Sequence, residues 1–219
     1  MIFRDRIDAG RQLAEALREY KGRENVVVLA VPRGGVIVGD QIASYLGCPL
    51  DLVVPRKIGA PFNPEMAIGA VTQDGTLLLN EYLVYHLGID REEIEAEKER
   101  VQREIKRRLA LYRGNSVPPE LAERTVILTD DGIATGFTLE AAIASIRRQR
   151  PAELVLAVPV APPDTLARLE KKVDRVVCLH TPEEFYAVGQ FYENFSQTTD
   201  EEVIEVMQKY KYPSPAGKK

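Results

Sequence analysis

The stretch Val126-Ile127-Leu128-Thr129-Asp130-Asp131-Gly132-Ile133-Ala134-Thr135-Gly136-Phe137-Thr138 decides how this chain folds. Four apolar or β-branched residues run straight into two adjacent carboxylates. A short loop with glycine and threonine then opens a helix expected from Phe137 to about Arg150. A short, continuous apolar run suits a strand covered on both faces, as in a parallel sheet. The junction therefore delivers Asp130 and Asp131 to the carboxyl end of a strand, where open α/β sheets bind ligands.

The rest of the chain repeats this alternation. Towards the N-terminus, the spacing predicts a helix over 6–21 with Ile7, Leu13 and Leu17 on one side, and a strand over 26–31. A helix over 36–46 and a strand over 50–54 follow. Residues 55–65, with three prolines and a glycine, read as a long loop. Gln73-Asp74-Gly75 between two apolar runs (67–71 and 76–79) signals a hairpin. The longest helix, 91–113, is acidic first and basic later, which complements the helix dipole. Its apolar stripe (Ile94, Val101, Ile105, Leu109) is narrow, so most of it should be solvated. Towards the C-terminus come a strand over 154–158, a Pro-rich turn and a helix capped by Asp164. A strand over 175–179 and a helix over 200–209 behind the capping box Thr199/Glu202 complete the pattern. The expected fold is α/β, a mostly parallel twisted sheet flanked by helices, with a hairpin, a lid loop and a long inserted helix. Residues 1–210 are expected to form one domain, and 211–219 a disordered tail.

Composition narrows the function. The 219 residues carry 29 Lys+Arg against 33 Asp+Glu, a net charge of −4, so no global basic surface calls for nucleic acid. Two cysteines, Cys48 and Cys178, without a CxxC pair support neither a disulfide framework nor a zinc ribbon; both should be small buried hydrophobes. Two histidines make no metal cluster. The N-terminus is charged at once, and the longest apolar run, Val26–Val31, is far too short to span a membrane. A cytoplasmic protein with no membrane partner is expected. The oligomeric state stays open, a homodimer included.

The loop after Asp131 has its own chemistry. Free N–H groups at a helix start, with the Thr135 and Thr138 hydroxyls, cradle an anion. Two carboxylates beside it would repel a phosphate, so they should face neighbouring sugar hydroxyls, because an ionised Asp only accepts hydrogen bonds. A sugar phosphate fits. No Lys follows the second glycine, so this is not a P-loop, and GxGxxG is absent too. An isolated Asp-Asp-Gly is an ordinary turn; the thirteen-residue pattern is far more specific.

Residues 126–138 resemble the phosphoribosyl-pyrophosphate (PRPP) motif of type I phosphoribosyltransferases. The runs FRDRIDAGRQLAEAL, LAVPRGGVIVGDQIA, VPRKIGAPFNPEMAIGAV and FYAVGQFYENFSQTTDEEV resemble a subgroup of that family with unassigned acceptor. The resemblance implies that Asp130 and Asp131 hold the ribose hydroxyls and touch Mg²⁺ only through those hydroxyls or water. It implies that Ala134, Thr135, Gly136, Phe137 and Thr138 bind the 5-phosphate, and that Arg33, Gly34 and Gly35 bind pyrophosphate. Pro32-Arg33-Gly34-Gly35 alone reads equally as a plain βα turn. The family closes a mobile loop over its site; 55–65 suits that role, with Arg56 and Lys57 reaching the pyrophosphate. Arg33, Arg56 and Lys57 are thus the implied catalytic cations, stabilising pyrophosphate as a nitrogen acceptor displaces it from an oxocarbenium-like ribose.

One departure matters. Enzymes for 6-oxopurines carry an acid where this chain has Ala134, so hypoxanthine or guanine is a poor expectation for the acceptor. An acceptor pocket is expected between Val158–Pro163 and Phe185, Tyr186, Phe191 and Tyr192, although such aromatics more often belong to a core. Two functions remain: a Mg²⁺-dependent phosphoribosyltransferase of nucleotide metabolism, or a non-catalytic PRPP or nucleotide sensor on the same fold.

Overall fold

A computed structural model describes residues 1–210; the tail expected over 211–219 lies outside the described residues. Five strands form one parallel sheet: β1 (Val26–Ala30), β2 (Leu50–Leu52), β6 (Thr125–Thr129), β7 (Glu153–Val160) and β8 (Arg175–His180), in the order β2-β1-β6-β7-β8. Three more, β3 (Arg56–Ala60), β4 (Asn63–Val71) and β5 (Leu77–Leu79), make a separate antiparallel sheet.

The continuous apolar strands are buried on both faces, as a parallel sheet requires. Val26, Val28, Ala30 and Ile127 face one layer, with α1 (Arg6–Ala16), α2 (Gly34–Leu46), α4 (Arg91–Arg113) and α7 (Asp200–Lys209). Val27, Leu29, Val126 and Leu128 face the other, against α5 (Phe137–Arg148) and α6 (Pro163–Glu170). A third cluster of Phe3, Ala9, Val160, Phe191 and Tyr192 closes the carboxyl edge of β7. No described helix is long and apolar enough to cross a membrane.

Two sequence signals come through in detail. Helix α4 starts on an Asp90/Glu93 capping box and buries Ile94, Val101, Ile105, Leu109 and Tyr112, leaving its charged faces out. Thr199 and Glu202 cap α7 reciprocally. Three expectations need correction, and one short helix was not expected. The helix over 6–21 ends at Ala16 and gives way to a 3₁₀ turn (Arg18–Tyr20), and Ile7 is exposed while Leu13 and Leu17 are buried. Asp164 does not cap α6; Pro162 stands there, and Asp164 sits in the first turn. Glu81–Leu87 also forms a short helix, α3, capped by Asn80, whose Leu83, Val84 and Leu87 pack half-buried against the core. Finally, 55–65 is not a loop. It is the β3–β4 hairpin, in which Pro61 falls in the turn and Pro64 beside a register shift at Gly59. Bulges and edges are where strands tolerate proline. A side chain at Gly59 would collide with the Pro64 carbonyl, so the glycine is what lets the bulge close.

Candidate active site

β1 and β6 are parallel neighbours with Ala30 opposite Thr129. Both therefore release their loops at the same edge, and the Pro32–Gly35 turn lies against the acid pair. The approach is tight. A Cβ on Gly35 would stand 2.9 Å from Asp130 Cα, and one on Gly34 would overlap Asp131 Oδ2 outright. Only residues without side chains fit there. The Pro32–Arg33 peptide is cis.

The acids are held in place. Asp130 Oδ1 accepts from the Asp131 N–H at 2.8 Å. Asp131 Oδ2 accepts from Arg6 Nε at 2.7 Å, and the Asp131 carbonyl accepts from the Tyr192 hydroxyl at 2.6 Å. Desolvation, reinforced by the Asp131 charge, pushes the Asp130 carboxyl well above the usual carboxylate range. Burial likewise raises the Tyr192 hydroxyl, keeping it a donor.

The turn after the acids is stitched to α6 through its carbonyls. Thr165 Oγ1 donates to the Ala134 carbonyl at 2.9 Å and Arg168 to that of Thr135. Gly136 is left-handed (φ 73°) and caps α5 with no side-chain hydrogen bond. The N–H groups of the first turn thus have no capping acceptor. Glu140, the acid in that turn, is neutralised by Arg168 at 2.6 Å and Lys172 at 3.1 Å. Ala134 and Thr135 are exposed, Phe137 and Thr138 half-buried. This is an anion cradle by its backbone, with neither threonine hydroxyl needed to cap the helix.

The cations stand apart from the acids. Arg33 Nη1 lies 3.5 Å from Asp200, whose carboxyl also accepts from the Tyr112 hydroxyl at 2.5 Å. Arg56 donates to Glu104 on α4 at 2.8 Å, and Arg108 shares that carboxylate at 3.2 Å. Lys57 is exposed and makes no ion pair among the described residues. Arg56, Lys57, Pro64, Glu65 and Thr138 line one cavity of about 420 Å³. The hairpin therefore faces the end of the turn that follows the acids.

The expected acceptor aromatics divide. Phe191 and Tyr192 are core, Phe185 stacks on Phe191 with centroids 5.2 Å apart, and Tyr186 is exposed. Val188 reaches over Gly132, where a Cβ would meet its Cγ1 at 2.5 Å. Of the two cysteines, Cys48 is buried, which pushes its thiol up to about 12, whereas Cys178 is only half-buried. Arg6 is invisible to sequence reasoning: its partner Asp131 is 125 residues away.

Comparison with known proteins identifies a family. The family model described as "Phosphoribosyl transferase domain" matches residues 2–196. A Mycobacterium tuberculosis (strain H37Rv) protein named "Putative phosphoribosyl transferase Rv0571c" is 45% identical over 203 residues, 93% of this chain. Its counterpart in strain CDC 1551, "Putative phosphoribosyl transferase MT0597", matches equally. The chain covers 46% of each, so it spans about half the length of these relatives. The crystal structure of TT1426 from Thermus thermophilus is 42% identical, with a TM-score of 0.83 over 97% of this chain and 100% of that one.

Proposed function

From the premise that the chain belongs to the phosphoribosyl transferase domain family, we propose that residues 1–210 act as one Mg²⁺-dependent transferase domain. It moves the ribose 5-phosphate of PRPP to a nitrogenous acceptor and releases pyrophosphate. One observation carries the reading: the glycine turn after β1 is pressed onto a fixed acid pair at the end of β6, beside an uncapped helix start. Diol, 5-phosphate and pyrophosphate then have three adjoining partners on one edge of the sheet.

Each group takes a role. Asp130 and Asp131 bind the 2- and 3-hydroxyls. The backbone of Ala134, Thr135, Gly136, Phe137 and Thr138 holds the 5-phosphate, with the Thr135 and Thr138 hydroxyls in reach. Gly34 and Gly35 present backbone to pyrophosphate, and Arg33, Arg56 and Lys57 stabilise it as it departs. The hairpin excludes water, which would otherwise hydrolyse PRPP.

The donor set suits Mg²⁺. At the strand end it is all oxygen, and each acid has one oxygen already committed, to the Asp131 N–H and to Arg6. No cluster of three or more His, Cys, Asp or Glu gathers among the described residues. Mg²⁺ commonly shares substrate phosphates and takes few protein ligands. Asp130 and Asp131 would hold it through water or the ribose hydroxyls. Bound there, Mg²⁺ would neutralise charge developing on pyrophosphate.

The test is pyrophosphate release from PRPP and Mg²⁺ across purines, pyrimidines and other nitrogen bases. Turnover with one acceptor supports the transferase. Tight PRPP binding without turnover favours the sensor. Absence of PRPP binding overturns both.

A further inference from the structure

We propose that Arg6 is a positioning residue for the sugar site, setting the Asp131 carboxylate and clamping the 192–196 segment onto the acid turn. The inference rests on the reading that Asp130 and Asp131 meet the ribose diol.

Arg6 stands at the start of α1. Three contacts use its guanidinium in three directions. Nε donates to Asp131 Oδ2 at 2.7 Å, Nη1 donates to the Ser196 carbonyl at 2.7 Å, and the guanidinium carbon lies 3.9 Å above the Phe195 ring. The Arg6 and Asp131 side chains are only 11% and 16% exposed. A planar guanidinium that bonds along two edges and stacks on its face fixes direction; an ammonium supplies charge without that geometry.

The surroundings leave Asp131 little freedom. Gly34 closes one side so tightly that a Cβ there would stand 2.6 Å from Arg6 Nε as well as striking the carboxylate. Tyr192 grips the same residue through its carbonyl. Asp131 is thus tied twice to one segment: through its side chain to Ser196 by way of Arg6, and through its backbone to Tyr192. Arg6 also lines a cavity of about 210 Å³ bounded by Asn194, Ser196, Thr198 and Glu202. One side chain is therefore shared by the sugar acids and by the wall of a neighbouring cavity. Displacing the 192–196 segment would release Asp131. A purely structural ion pair would hold α1 to the sheet and do nothing more.

The experiment compares full-length wild type with Arg6→Lys, Arg6→Gln and Tyr192→Phe. It reads melting temperature, PRPP affinity by calorimetry with Mg²⁺, and the KM and kcat for PRPP. Arg6→Lys is expected to melt with wild type yet raise the KM for PRPP about 10-fold, with kcat within about 2-fold, the pattern of lost substrate positioning. Tyr192→Phe, losing the second tether only, should raise it less. If Arg6→Gln fails to fold, the other two decide. A folded Arg6→Lys with wild-type KM and affinity overturns the proposal while leaving the transferase standing. Wild type that binds no PRPP brings down the transferase reading and this inference with it.

Discussion

Asp130 and Asp131 stand where a central strand ends, wedged by two glycines, bonded to a backbone N–H, to Arg6 and to Tyr192. Arg33, Arg56 and Lys57 stand on a loop and a hairpin. Two of them lean on carboxylates from distant helices, and the third is exposed to solvent. The acidic half is organised by the fold before any ligand arrives. Of the cations, Arg33 and Arg56 have carboxylate partners to exchange. Magnitudes make the contrast sharp. Breaking a desolvated pair such as Arg6–Asp131 costs several kcal/mol, about 3–5. Arg56 and Glu104 are 38% and 29% exposed, and such a pair is worth about 0–1 kcal/mol. A bound anion would compete with the second arrangement far more readily than with the first.

The comparison breaks most visibly at the acids. Asp130→Asn with Asp131→Asn removes two hydrogen-bonding carboxyl groups, each worth about 1.5 kcal/mol, so PRPP affinity should fall by about two orders of magnitude. Calorimetry with Mg²⁺ measures it, and wild-type affinity in the double variant removes the ribose assignment. Gly34→Ala comes next. Its methyl would collide with Asp131 Oδ2, and relieving such overpacking costs about 1–3 kcal/mol. We expect about a 10-fold loss of PRPP affinity together with a lower melting temperature. A variant that binds and melts as wild type would mean the acids are less fixed than the packing requires.

Which half can be read from sequence follows the same division. The acid turn is legible because everything it needs is contiguous: apolar strand, Asp130, Asp131, Gly136, then α5, which begins at Phe137. Parallel-strand burial and the capping box of α7 also depend on neighbours a few residues apart. The hairpin misleads because Pro61, Pro64 and Gly59 are loop residues by propensity, and only the β3–β4 register shows that a turn and a bulge absorb them. The cation pairings are beyond reach: Glu104 is 48 residues from Arg56, and Asp200 is 167 from Arg33. Arg6 falls in the same class, though it serves the acids. Helix α1 buries Ala9, Gly10, Leu13 and Ala14, and nothing local marks the arginine that reaches past them to Asp131.

The hairpin cations carry the smaller predictions. Lys57 makes no ion pair among the described residues, so Lys57→Ala breaks none. Its charge matters most as pyrophosphate leaves, so kcat should drop about 10-fold while PRPP affinity changes little. An unchanged kcat takes Lys57 out of the reaction.

Glu104→Gln gives the smallest and most discriminating effect. Glu104 holds Arg56 and Arg108 at once, so neutralising it frees Arg56 at the cost of two half-buried ion pairs. If the Arg56 pairing competes with pyrophosphate, PRPP should bind more tightly, by no more than about 5-fold, since such a pair contributes about 1 kcal/mol at most. The gain should shrink as salt rises, because screening already weakens the pair in wild type. A loss of affinity would have the opposite meaning: Glu104 would then be holding Arg56 in its working position, and the cationic half would be as preorganised as the acidic one.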